Sequence, residues 1–77
     1  MRQERGNDIV AMRITLNGAP KEVNTATTVA ALLRELDLLG KRLAVERNGE
    51  IVPKSQHETT VLTDGDRLEI VVAVGGG

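Results

Sequence analysis

The chain has 77 residues, 40% of them hydrophobic, with 10 Lys and Arg against 11 Asp and Glu for a formal net charge of -1. That length leaves nothing over for a second hydrophobic core, so one small domain is expected. The near-balanced charge and the lack of any Phe, Trp or Tyr argue against nucleic acid as a partner, since neither a basic field nor a stacking platform is present. The lack of cysteine rules out a disulfide framework, a thiolate metal site and a cysteine nucleophile.

Residues 1–11 are mostly polar and have no sustained periodicity, which reads as a flexible arm or an upstream start, with the domain over 12–74. No apolar run approaches the roughly 18 residues of a membrane span. Charges stand where a signal peptide would be apolar, so a cytoplasmic protein without a membrane partner is expected.

From residue 12 to 16 apolar and polar residues alternate, putting Met12, Ile14 and Leu16 on one face of a half-buried strand. Asn17-Gly18 favours the positive φ angles of a two-residue hairpin, so residues 19–23 should return antiparallel, with an irregular start at Pro20. Thr28 is a natural N-cap for a helix whose apolar residues Val29, Leu32, Leu33 and Leu36 recur at i, i+3, i+4, i+7. The helix is expected to run past Leu38 and Leu39 and stop at Gly40.

Residues 43–47 resume strand character, Asn48-Gly49 makes a second tight turn, and residues 50–52 form a short strand broken at Pro53. Residues 54–59 read as polar loop, and 60–62 as a brief extended piece. Asp64-Gly65-Asp66 then turns the chain into a last strand over 67–74. Leu68, Ile70, Val72 and Val74 share one face of it, while Val71 and Ala73 make the late part of the other face apolar too. Hairpin, helix, hairpin and last strand are most economically joined as a mixed sheet with the helix across one face, the first and last strands parallel. This is an α+β chain of β-grasp layout, with four to five strands.

The chain finishes on Gly75-Gly76-Gly77. Three glycines at such a place arise by chance on the order of a few times in ten thousand. No helix follows them, so they are not a phosphate-cradling loop. Without Cβ atoms they can enter a narrow channel, and extended they reach roughly 10 Å past the last strand. The Gly77 carboxylate, ionised at neutral pH, can then attack the α-phosphate of ATP to give an acyl-adenylate.

The segments MRITLNG, TVAALLREL, LAVERNGEIVPKSQ and DGDRLEIVVAVGGG, in this order and ending on glycines, resemble the ThiS family of thiamine-biosynthesis sulfur carriers, ubiquitin-like in fold. The resemblance implies that Gly77 is adenylated with ATP by a ThiF-type adenylyltransferase. Sulfur from a cysteine desulfurase then makes a thiocarboxylate, which is delivered to the thiazole synthase ThiG. Gly75 and Gly76 match the glycines that carry the terminus into partner active sites. The carrier is then a cosubstrate that binds no cofactor of its own. The small subunit of molybdopterin synthase shares this chemistry, and a ubiquitin-like modifier shares the body.

His57 beside Glu58 does not complete a metal site, and Ser55 with His57 lacks an orienting third group, so neither is given a role. His57 is expected to be solvated. Val52, Val71 and Ala73 have two readings, a docking patch for partners or burial in the protein's own sheet.

Overall fold

In the computed structural model, which describes residues 11–73, both Asn-Gly dipeptides form the turns that their chemistry favours. Asn17 and Gly18 have φ of 50° and 85°, and Asn48 and Gly49 have φ of 52° and 87°, the left-handed pair of a two-residue hairpin. Residues 1–10 of the expected arm, Val74 at the end of the expected last strand, and the tail glycines lie outside the described residues. The first turn joins β1 (Ala11–Leu16) to β2 (Ala19–Asn24), and the second joins β3 (Leu43–Arg47) to β4 (Glu50–Ile51). β1 thus takes in Ala11, one residue earlier than the sequence reading.

The last strand, β5 (Arg67–Val72), runs parallel to β1 and antiparallel to β3, giving the sheet order β2-β1-β5-β3-β4. The β-grasp expectation is met with five strands. Pro20 sits inside β2 in register with Thr15 and causes no irregularity. Because Leu16 and Ala19 close the tight hairpin, alternation turns the Pro20 nitrogen outward, where its missing N–H breaks no ladder bond.

The helix α1 (Val29–Glu35) begins as expected, the Thr28 hydroxyl accepting from the Ala31 amide at 3.0 Å. Two further N-terminal donors are satisfied by the following loop: Ala30 N–H reaches the His57 carbonyl at 2.8 Å, and Val29 N–H the Thr60 carbonyl at 3.0 Å. The helix does not reach Gly40. It closes at Leu36, where Asp37 turns left-handed at φ 62°. The Asp37 and Leu38 amides then bond the Arg34 and Leu33 carbonyls at 3.1 and 2.8 Å, a Schellman closure. Leu38 folds back onto the core rather than extending the helical stripe.

After β4, Pro53 leads into a short 3-10 helix, Lys54–Gln56, where loop was expected. Of the extended piece expected over 60–62, one bridge between Thr28 and Val61 forms. Ile14, Val45, Leu68 and Ile70 from the sheet and Val29, Leu32 and Leu33 from the helix close an aliphatic core with Leu62. Each such side chain contributes about 1.5–3 kcal/mol on burial.

Both turn asparagines also reach β5. The Asn17 carboxamide accepts from the Ile70 amide at 2.8 Å and donates to the Ile70 carbonyl at 3.2 Å. It continues the β1 ladder after β1 itself has turned away. Asn48 accepts from the Arg67 amide at 2.9 Å and donates to Asp66 at 3.0 Å. Asp66, 4% exposed, also accepts from Arg47 Nε at 2.8 Å and from the Thr63 amide and hydroxyl. Burial pushes the Asp66 carboxyl up, but the bonds from Thr63, Asn48 and Arg47 outweigh it and hold the carboxyl below its ordinary value.

Replacing Asn17 by Gly keeps the turn but strands both Ile70 backbone groups, and should cost about 1–3 kcal/mol in urea unfolding. A left-handed φ alone as the reason for Asn17 would leave stability unchanged. The depressed Asp66 carboxyl contributes stability that is complete above the ordinary aspartate value of the unfolded chain and is lost as pH falls through the lower folded value. Unfolding midpoints taken from pH 7 to pH 2 should show an acid-limb loss that is smaller in Asp66→Asn, a variant already less stable at pH 7.

Candidate functional site

Gly75, Gly76 and Gly77 lie outside the described residues, and the structure shows the base from which they leave. β5 is the central strand, paired with β1 on one side and β3 on the other. The Ala73 amide donates to the Arg42 carbonyl at 2.8 Å, so β3-side pairing holds to the last described residue. The chain therefore leaves a strand held on both flanks as far as Ile70 and on the β3 side as far as Ala73.

The register decides which side chains surround that exit. Ala44 stands opposite Val71, Glu46 opposite Glu69, and Ile51 opposite Glu46, so all five lie on the sheet face away from α1. Val71 is 65% exposed and Ile51 61%, and Ala73 is exposed as well. Val71 and Ala73 thus take the open fate that the sequence allowed them. Val52 does not: it is 8% exposed and belongs to the core. Its neighbour Ile51 occupies the open face in its place. Sequence alternation carried the signal for a two-faced strand here, but only the pairing of β4 with β3 fixes which residue faces out.

The open face is therefore an apolar strip, Ala44, Val71 and Ile51, beside two glutamates directly across a strand pair. Like charges so placed repel, and neither glutamate has an ion-pair partner among the described residues. A partner presenting cations and apolar side chains would relieve that repulsion and cover the strip.

His57 is half-buried rather than solvated, because the 3-10 helix turns it under the helix start. Its Nε2 lies 3.0 Å from the Val52 carbonyl and its own carbonyl caps Ala30, which gives it a packing role. Among the described residues no group of three or more His, Cys, Asp or Glu is placed to hold a metal, and no helix is long and apolar enough to cross a membrane. The residues expected to carry chemistry are the tail glycines. The described body supplies a fixed exit strand and an apolar, acidic face beside it.

Comparison with known proteins gives consistent likenesses. The ThiS family model matches residues 14–77. The sulfur carrier protein ThiS of Bacillus subtilis is 40% identical over 65 residues, covering 83% of this chain and 98% of the relative. A thiazole synthase of Paramagnetospirillum magneticum is 47% identical over 66 residues, but these make up 20% of its length. The chain thus spans about a fifth of that relative. The crystal structure of a thiamine biosynthesis protein, ThiS, from Geobacter metallireducens superposes with a TM-score of 0.71 at 35% identity, covering 86% of this chain and all of the other.

Val52 of the core and Val71 of the open face should respond differently to substitution. Val52→Ala removes buried methyl groups and should cost about 1–3 kcal/mol in chemical denaturation, whereas Val71→Ser should stay within about 0.5 kcal/mol of the parent. Equal losses would place Val71 in the core.

Proposed function

The chain belongs to the ThiS family, the sulfur carriers of thiamine biosynthesis, and from that premise we propose that its working group is the carboxylate of Gly77. The observation that supports this reading is the family match, which runs through the β-grasp body to the terminal glycines over residues 14–77. Family membership also decides between the two sulfur-carrier assignments in favour of thiamine over molybdopterin.

A Gly77 carboxylate oxygen attacks the α-phosphorus of ATP in the active site of a ThiF-type adenylyltransferase, and pyrophosphate leaves. The terminal sulfur of a persulfide formed by a cysteine desulfurase then attacks the acyl carbon and AMP leaves; a thiol reductant cleaves the S–S bond of the resulting acyl disulfide, so the carrier keeps one sulfur in place of one oxygen. The thiocarboxylate delivers that sulfur to thiazole synthase. The protein is consumed and regenerated as a cosubstrate in the cytoplasm, while ATP is bound and the bonds are made by partners.

The body's contribution is positional. Gly75 and Gly76 cross the partner's channel as a chain without side chains. Val71 and Ala73, joined by Ala44 and Ile51, form the surface that meets the partner around that channel. Exposed aliphatic side chains next to an exit strand suit such a contact, because their burial drives association without fixing the tail itself.

Incubated with a ThiF-type enzyme, ATP, a desulfurase with cysteine and a thiol reductant, the protein should gain the mass of one oxygen-to-sulfur exchange in intact mass spectrometry. Deleting Gly76 and Gly77 should abolish the gain with an unchanged unfolding midpoint. An unmodified parent mass, under conditions that load the Bacillus subtilis carrier, would contradict the reading.

A further inference from the structure

A second surface lies around the edge of the sheet from the open face. Between the end of α1, β3 and β4 runs a groove of about 270 Å³. Leu33, Leu39 and Val52 give it an apolar floor, Ile51 of the open face reaches its rim, and Leu39 is 47% exposed there. Its rim carries Lys41, Arg42 and Lys54, all exposed, and among the described residues no carboxylate lines it. Among the described residues none of these three cations has an ion-pair partner.

The groove also offers backbone. The Arg42 carbonyl bonds the Ala73 amide in line with β5, so alternation turns the N–H and C=O of Leu43 the other way, into the groove. There β4 would have to continue to cover them. It pairs only with Glu46 and Arg47, makes one more bond from the Val52 amide to the Val45 carbonyl, and is then carried off at Pro53. Leu43 has no backbone partner on that side among the described residues. An unpaired strand edge beside an apolar floor is the arrangement that accepts an added strand.

We propose that this groove is a docking site for an extended acidic segment of another protein, which adds to the edge of β3 at Leu43. One aliphatic side chain of the segment rests on Leu39 and Val52. Flanking carboxylates face Lys41, Arg42 and Lys54. The choice of occupant follows from charge: three cations and an apolar floor, with no ion pair or lining carboxylate among the described residues, disfavour a basic or a purely apolar segment. The site stands apart from the tail chemistry, since nothing in it depends on sulfur carriage. Its place does bear on the tail, because Arg42 is both a rim cation and the residue whose carbonyl holds Ala73. An occupant of the groove therefore sits beside the root of the tail.

The probe is a capped heptapeptide with three central aliphatic residues flanked by aspartate and glutamate, titrated into the full-length ¹⁵N-labelled chain. Amide shifts should concentrate at residues 39–44 and 51–54. Affinity should fall at least tenfold in Lys41→Glu/Arg42→Glu, whose dispersed spectrum confirms folding, and should fall with added salt. Glu69→Lys on the open face should bind like the parent. No shifts at millimolar peptide, equal binding of the matching asparagine and glutamine peptide, or shifts centred on Val71 and Glu69 would each overturn the proposal.

Discussion

The fold depends on one constraint: β5 has to be hydrogen-bonded on both flanks although β1 runs beside it for only two register positions, Thr15 with Arg67 and Leu16 with Leu68. The Asn17 carboxamide resolves this by standing in for the strand residue that the hairpin turn removes. It meets both backbone groups of Ile70, 53 residues away in sequence. Asn48 does the same at the start of β5 through Arg67 and Asp66. The two hairpins are thereby stitched to the strand that carries the tail, and what would be a two-position contact becomes a clamped central strand.

That clamp matters more here than in a domain rich in aromatic residues. The core is built only from branched aliphatic and alanine side chains around Ile14, Leu32, Leu62 and Leu68, so no large ring supplies burial. Backbone and carboxamide bonds at Ile70, and the buried Asp66 with its four donors, hold what the modest core leaves free to move. The consequence for function is geometric. On the proposed reading, the body sets the position of the strand beside Val71 and Ala73 from which the glycines enter a partner channel.

Much of this was readable from residues 11–73 because local signals agreed with the global fold. Both Asn-Gly turns, the Thr28 cap and the alternation in β1 and β5 each specify their own element. The helix end was misjudged because Leu38 and Leu39 continue an apolar pattern, while the actual stop is set by Asp37 adopting a left-handed conformation. Short polar side chains tolerate that conformation, and Leu38 is then drawn back to the core. For Val52 the sequence allows either face, and the pairing of β4 with β3 turns it inward. Val52 and Ile51 look alike in sequence, and a period of two makes a one-residue error a complete reversal. The second use of the asparagines could not be read at all, since their partners lie across the chain and an Asn-Gly turn accounts for itself without them.

The account's central claim is that Asn17 makes Ile70 as secure as the core strands, so that the tail leaves a rigid base. Native-state hydrogen exchange of the Ile70 amide tests this most directly. The amide should exchange only through global unfolding, with the same denaturant dependence as the Val45 amide. In Asn17→Gly it should open locally ahead of Val45. Fast local exchange of Ile70 in the parent chain would contradict the claim and leave β5 an edge that the turn does not secure.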